Sequence, residues 1–95
     1  MAFHHELISS LVHQSAEQRI AGFLLSLSDR LQRRNMPCAE FNLSMSRTDI
    51  GNYLGLASET VSRILTRFQK SGWVRLQRKR ASLIDRPALE ELAAS

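Results

Sequence analysis

Residues 46–73 read SRTDIGNYLGLASETVSRILTRFQKSGW. Ser46 and Asp49 have the spacing of a capping box, a pair of side chains that begins a helix, with Asp in place of the usual Glu. Gly55 stands where the end of a helix needs a residue that tolerates a left-handed backbone. The stretch therefore predicts a short helix between Ser46 and Gly55, followed by a tight turn. Three residues of this helix are expected to form its buried face: Ile50, Tyr53 and Leu54.

A second, longer helix is predicted at about residues 58–71. Ser58 is a candidate N-cap for this helix, and Gly72 would end it. Four apolar residues recur at helical spacing and are expected to face inward: Val61, Ile64, Leu65 and Phe68. The opposite, polar side carries Glu59, Ser62, Arg63, Thr66 and Lys70. Two helices joined by a short turn that contains Gly match the description of a helix-turn-helix.

The polar side of the second helix has side chains suited to the major groove of DNA. Arg can bond guanine O6 and N7 together, Glu can accept a hydrogen bond from cytosine N4, and Ser can bond several base edges. Glu59, Ser62 and Arg63 lie near the N-terminus of the helix, from which recognition helices usually reach the bases. The alternative is that Glu59 and Arg63 form only an exposed ion pair one turn apart, worth about 0.3–0.5 kcal/mol.

Positive charge is concentrated around this unit. The 95 residues carry a net charge of +4, but residues 47–80 contain eight basic and two acidic residues, so the remainder is acidic on balance. A basic patch centred on a DNA-reading unit is typical of nucleic-acid binding, and a merely solvated surface is the alternative. The hydrophobic content is that of a globular protein, and no apolar run approaches the ~20 residues that span a membrane.

The flanking segments predict a helical scaffold and a wing. Ser15 and Gln18 form another capping-box pair, for a helix over residues 15–35. Alternating apolar and polar residues predict short strands at 41–45, 73–77 and 81–84, of which the last two form a hairpin. Asp85 is expected to cap a last short helix. The predicted fold is therefore mainly α with a small β-hairpin: a winged helix-turn-helix.

Contacts to DNA phosphates are expected from helix N-termini and from cations. Helix N-termini offer free N–H groups and a positive dipole to phosphate, and cations at the tip of the wing would position the domain without reading sequence. The candidates are Ser46, Arg47, Thr48, Ser58, Thr60, Arg67, Lys70, Arg78, Lys79 and Arg80. The alternatives are that Ser46 acts only as a cap, that Thr60 is an ordinary surface residue, and that the charge at the tip is only solvated.

The sequence predicts neither catalysis nor a metal site. It has no nucleophile–base pairing, metal-ligand spacing or Gly-rich phosphate loop. His4, His5 and His13 lack the convergent spacing of metal ligands. The single cysteine, Cys38, cannot form an internal disulfide, which fits a reducing cytoplasm. We therefore expect a binding protein rather than an enzyme.

The string DIGNYLGLASETVSRILTRFQKSG, residues 49–72, resembles the helix-turn-helix of the CRP/FNR family of bacterial transcription regulators. GNYLGL, ETVSR and RFQKSG place it nearest to the fumarate-and-nitrate-reduction (FNR) branch, and the similarity extends over about residues 15–93. In that branch the Glu, Ser and Arg of this motif read a TTGAT half-site of an inverted repeat. The resemblance gives these roles to Glu59, Ser62 and Arg63. FNR-type members tend to have Gly in the turn of the wing, where this chain has Arg78.

The resemblance also implies an assembly. Residues 1–14 would be the end of a dimerisation helix, or else a fraying helix packed on its own domain, and residues 15–95 the winged helix-turn-helix domain. The full-length protein would bind duplex DNA in the cytoplasm as a homodimer, on half-sites ~10 bp apart, with residues 34–39 near RNA polymerase. No cofactor is expected in this chain, because an iron–sulfur cluster or other ligand would belong to an absent sensor domain. The alternative function is a winged-helix module that binds another protein and no specific DNA.

Overall fold

The computed structural model describes residues 15–36 and 39–95. The expectations for residues 1–14, which include the three histidines, and for Cys38 lie outside these residues. In the described part of the chain, helices and short strands follow one another in this order: α1 (Ala16–Arg33), β1 (Glu40–Asn42), α2 (Arg47–Leu54), α3 (Ser58–Lys70), β2 (Val74–Gln77), β3 (Arg80–Leu83) and α4 (Arg86–Ala94). None of these helices is long and apolar enough to cross a lipid bilayer.

The long helix α1 begins and ends on local signals. The Ser15 hydroxyl accepts a hydrogen bond from the Gln18 N–H at 3.1 Å, and the Gln18 side chain accepts one from the Ser15 N–H at 2.8 Å, so the predicted capping box is confirmed. The helix ends at Arg33, slightly earlier than predicted, because Asn35 adopts a left-handed backbone with φ of 56°. The Met36 N–H then donates to the Leu31 carbonyl at 2.9 Å and closes the last turn.

The three strands form one antiparallel sheet in the order β1-β3-β2. The predicted hairpin is confirmed as β2 and β3, and β1 adds a third strand on the far side of β3. Strand β1 is shorter than the predicted strand at 41–45. The Leu43 N–H still bonds the Lys79 carbonyl, but the chain then turns away towards Ser46, which begins α2.

The core lies between the four helices and the inner face of the sheet. Its largest fully buried apolar side chains come from all four helices: Ile20, Leu24, Ile50, Val61, Leu65, Phe68 and Leu89. The inner face of the sheet adds Phe41, Val74, Ala81 and Leu83. This arrangement confirms the predicted winged helix-turn-helix, with α1 and α4 as the scaffold behind α2 and α3.

Arg86 fastens the first helix of this scaffold to the last. Its guanidinium donates to the buried Ser28 hydroxyl at 2.8 Å, forms an ion pair with Asp29, and bonds Glu90 at 3.0 Å. The hydrogen bond that Arg86 donates to the Asp29 carboxylate is the main reason that the pKa of Arg86 is raised above its ordinary value, and the bond to Glu90 acts in the same direction. Since Ser28 lies on α1, the cluster ties α4 to α1, and these two helices pack extensively.

The prediction that Tyr53 belongs to the buried face of α2 is wrong. Tyr53 is 65% exposed, and its ring lies against Phe23 with the centroids 5.7 Å apart and the planes tilted. Successive helical residues are rotated by about 100°, so Tyr53 falls at the edge of the stripe that Ile50 and Leu54 define. The other edge of that stripe, at Gly51, is the one that the following turn covers.

Candidate nucleic-acid interface

A close approach of backbone to backbone sets the angle between α2 and α3. Gly55 ends α2 with φ of 74°, the left-handed conformation predicted for it. The Leu56 N–H donates to the Gly51 carbonyl at 2.7 Å. A Cβ at Gly51 would lie under 3.0 Å from the Leu56 carbonyl oxygen and 3.3 Å from its carbon. Glycine at this position therefore lets the turn cross α2 directly.

The first helix of the pair begins as predicted. The Ser46 hydroxyl accepts a hydrogen bond from the Asp49 N–H at 3.0 Å, and the Asp49 carboxylate accepts one from the Ser46 N–H at 3.2 Å. This confirms the capping box and commits the Ser46 side chain to it. The next two residues, Arg47 and Thr48, are half-buried and exposed, respectively, at the same helix end.

The predicted N-cap of α3 is wrong. Ala57, not Ser58, precedes the helix with an extended backbone (φ −69°, ψ 146°), and its carbonyl accepts the first helical hydrogen bond, from the Val61 N–H at 3.1 Å. The turn after Gly55 is one residue shorter than predicted, so Ser58 already has helical geometry. Because alanine has no side-chain acceptor, no side chain of the N-cap residue binds the N–H groups of the first turn.

The polar side of α3 is exposed as predicted. Glu59, Ser62 and Arg63 reach solvent on the face opposite to the four buried apolar residues, and Thr66 and Lys70 continue it towards the end of the helix. Among the ion pairs of the described residues, none joins Glu59 to Arg63, so the alternative of a mere surface pair is not realised. Both side chains therefore face solvent without engaging each other.

The C-terminal half of α3 continues this polar stripe as a basic one. A shallow depression on the surface is lined by Ser62, Arg63, Thr66, Arg67 and Lys70. Arg67 lies on the flank nearest α1, where its guanidinium forms an ion pair with Glu17. Thr60, on the other hand, is half-buried beside the first turn. The basic side chains predicted to contact phosphate thus border the residues predicted to read bases, and Arg67 is paired with a carboxylate.

In the wing, the predicted position of one cation, Arg80, is wrong. Arg78 and Lys79 form the turn of the hairpin, and Arg78 adopts φ of 56°, the conformation for which Gly is favoured in the wing turn. Arg80 was expected at the tip with them, but it is the first residue of β3 and pairs with Gln77 across the hairpin. Its guanidinium donates to the Glu40 carboxylate at 2.8 Å. Only two of the three cations therefore project from the turn.

Glu40 is a residue whose part in the wing the sequence analysis missed. Its carboxylate also accepts a hydrogen bond from the Ser82 hydroxyl at 2.9 Å. The bond from Arg80, followed by that from Ser82, holds the pKa of the Glu40 carboxyl below its ordinary value. Gly51 was missed as well, although an isolated Gly inside a helical pattern is a signal of close packing. Glu40 carries no such local signal, because its partners are distant in sequence.

No three side chains among His, Cys, Asp and Glu come together as metal ligands within residues 15–36 and 39–95. The chemistry of the exposed surface is instead that of hydrogen-bond donors, acceptors and cations along α3 and the wing.

Comparison with known proteins agrees with this geometry. Residues 18–92 match the family model described as the Crp-like helix-turn-helix domain. The fumarate and nitrate reduction regulatory protein of Escherichia coli K12 is 46% identical over 88 residues, which cover 93% of this chain and 35% of that protein. Transcriptional regulatory protein btr of Bordetella pertussis is 44% identical over 88 residues, covering 93% and 36%, respectively. The chain thus spans about a third of the length of these relatives.

Solved structures give the same result. FixK2 from Bradyrhizobium japonicum superposes with a TM-score of 0.79 and 35% sequence identity, over 96% of this chain and 44% of that one. A regulator of the CRP/FNR family from Eubacterium rectale superposes with a TM-score of 0.73 and 30% sequence identity. The superposition covers 96% of this chain and 39% of that one. The relatives in both comparisons are regulators of transcription and not enzymes. The chain therefore belongs to the Crp-like helix-turn-helix domain family, with the DNA-binding domains of FNR-type transcription regulators.

Proposed function

We propose that α3 enters the major groove of duplex DNA and that Glu59, Ser62 and Arg63 read a TTGAT-like half-site of an inverted repeat. The observation that carries the proposal is that these three side chains are exposed together in the first two turns of the helix. Arg63 would donate to guanine O6 and N7, Glu59 would accept from cytosine N4, and Ser62 would bond a neighbouring base edge. The half-site itself rests on the resemblance to FNR-type regulators.

Phosphate contacts on either side would fix the position of α3 in the groove. The N–H groups at the start of α3, near Ser58 and Thr60, have no N-cap side chain bound to them and can receive a phosphate. Arg47 and Thr48 offer a second helix start, at α2, where the Ser46 hydroxyl already serves as a cap. The cations proposed to contact the backbone are Arg67, Lys70, Arg78, Lys79 and Arg80.

The assembly we propose is a homodimer on two-fold DNA in the cytoplasm. One reading helix touches few bases, so two domains on half-sites ~10 bp apart would share the recognition. Residues 1–14 would lead from a dimerisation helix into the domain at residues 15–95, and residues 34–39 would lie near RNA polymerase. We assign no cofactor to the described residues, and an iron–sulfur cluster or other signal would act through a sensor domain.

The test compares two arginine variants on two duplexes. Fluorescence anisotropy of a labelled duplex with inverted TTGAT half-sites, and of a scrambled duplex, would be measured for the 95-residue chain. Arg63→Ala should lose about 1–3 kcal/mol on the cognate duplex and much less on the scrambled one. Arg33→Ala removes the same charge from an exposed position at the end of α1 and should affect both duplexes equally and weakly.

Each outcome has a distinct meaning. Equal losses for Arg63→Ala on both duplexes would contradict direct readout by this side chain. Binding by the unmodified chain without preference for the cognate duplex would refute the TTGAT half-site. If the chain binds neither duplex even at low salt, the function would be that of a winged-helix module that binds another protein.

A further inference from the structure

The outer face of the sheet carries a carboxylate on its edge strand, β1, and basic side chains on β3 and β2. Glu40 of β1 lies directly opposite Ser82 of β3, and Ser82 lies opposite Arg75 of β2. Arg80 is two residues before Ser82 on the same face of β3, so its guanidinium reaches Glu40 diagonally, at 2.8 Å. The Ser82 hydroxyl holds the other carboxylate oxygen at 2.9 Å. Glu40 is therefore fixed by two donors and cannot turn away from Arg80 without losing both.

The order of the strands decides on which side of the wing the ion pair between Glu40 and Arg80 lies. Strand β2 packs against α3, whereas β1 is the edge of the sheet on the far side of β3. Glu40 therefore draws the guanidinium of Arg80 towards the edge that is remote from the recognition helix. The turn cations Arg78 and Lys79 have no carboxylate partner among the described ion pairs. A DNA backbone lying along α3 and the tip of the wing would meet these two cations first.

We propose that Glu40 is a positioning residue that competes with DNA phosphate for Arg80 and so lowers the affinity of the wing for any duplex. The inference rests on the proposed DNA-binding function and adds to it a residue that does not touch DNA. A carboxylate and a DNA phosphate both offer negatively charged oxygens to the N–H donors of an arginine, and one oxygen of Glu40 already accepts from Arg80. The carboxylate has the advantage of being in the same sheet, because intramolecular binding raises its effective concentration.

The competition is graded, because both partners are exposed. The side chains of Arg80 and Glu40 are 66% and 52% exposed, and exposed ion pairs are weak. A phosphate at the right place can therefore displace Glu40, and the affinity is reduced without being abolished. We expect the reduction to be about two- to fivefold, the range that the stability of an exposed pair allows.

The decisive variant is Glu40→Gln, with Glu91→Gln as its control. Gln keeps the size of Glu40 and can still accept from Ser82, but it loses the charge that holds Arg80. Glu91, exposed on α4, makes the same change in net charge away from the wing. Glu40→Gln should bind the cognate and the scrambled duplex about two- to fivefold more tightly, with a log–log salt slope steeper by up to about 0.9. Glu91→Gln should leave both quantities nearly unchanged.

A double-mutant cycle tests whether Glu40 acts on DNA binding through Arg80. In an Arg80→Ala background, Glu40→Gln should no longer change affinity or slope, whereas a general change in charge would persist. Arg80→Ala should also weaken DNA binding less than Lys79→Ala does, a comparison that does not depend on the Glu40 variant. If Glu40→Gln behaves like Glu91→Gln, or keeps its effect without Arg80, the inference is wrong and the DNA-binding function stands. If the unmodified chain binds no duplex, both fail together.

Discussion

Replacing Gly51 with Ala should destabilise the domain, although Ala is the better helix former. Gly51 lies inside α2, where Gly→Ala would normally favour folding by about 0.5–1 kcal/mol. Here the new Cβ would lie under 3.0 Å from the Leu56 oxygen, 3.3 Å from the Leu56 carbon and 3.5 Å from the Ala57 carbon. All three atoms belong to the backbone, so no side-chain rotation can relieve the overlap.

The turn must therefore move, and two costs follow. Overpacking of this kind costs about 1–3 kcal/mol. The hydrogen bond from the Leu56 N–H to the Gly51 carbonyl, 2.7 Å long, would also be weakened, and a typical bond contributes about 0.5–1.5 kcal/mol. After subtraction of the helix-propensity gain, the expected net loss is about 1–3 kcal/mol. For a domain of this size each kcal/mol lowers Tm by about 4–8 °C.

The assay is urea denaturation followed by circular dichroism, with Gly22→Ala as the matched control. Gly22 lies inside α1, and a Cβ built there meets no heavy atom within 4 Å. That variant should be stabilised by about 0.4–1 kcal/mol. If Gly51→Ala is also stabilised, the close approach between α2 and the turn does not constrain the fold, and the assigned angle between α2 and α3 is wrong.

Four other substitutions test separate parts of the structure. Ser46→Ala should lose about 1 kcal/mol of unfolding free energy with its capping bond, whereas Ser58→Ala should change it by less than about 0.5 kcal/mol; equal losses in urea denaturation would restore Ser58 as a cap. Leu65→Asp should abolish the cooperative thermal transition, because it buries an unpaired charge at a position only 1% exposed; a retained transition would contradict the inner face of α3. Lys79→Ala should weaken binding to cognate and scrambled duplexes alike and flatten the log–log salt slope by up to about 0.9; an unchanged slope would remove the wing turn from the interface.

Features that depend on neighbours in sequence could be predicted. The capping boxes at Ser15 and Ser46 are set by a spacing of three residues, and the structure confirms both. The division of α3 into a buried side and a polar side follows from the helical period, so the exposure of Glu59, Ser62 and Arg63 was also predictable. Their contact with bases remains a prediction that combines this exposure with the resemblance to a family.

Features that depend on distant parts of the chain could not be predicted in the same way. Arg67 meets Glu17 across 50 residues, and Arg80 meets Glu40 across 40, so neither pair has a local pattern. Ser58 was misplaced for a different reason. Two adjacent residues, Ala57 and Ser58, compete for the N-cap, and the length of the turn decides in favour of the one with the weaker intrinsic preference.

The hydrogen bond from Arg86 of α4 to Ser28 of α1 has a consequence for how the chain folds. It joins residues 58 positions apart, whereas the contact between α2 and α3 is between neighbours in sequence. During synthesis the pair α2 and α3 can form early, but α1 keeps part of its apolar side uncovered until α4 has left the ribosome. Closing such a long loop is entropically slow. A nascent chain that stops before Arg86 would therefore expose apolar surface of α1 and be a substrate for chaperones or proteases.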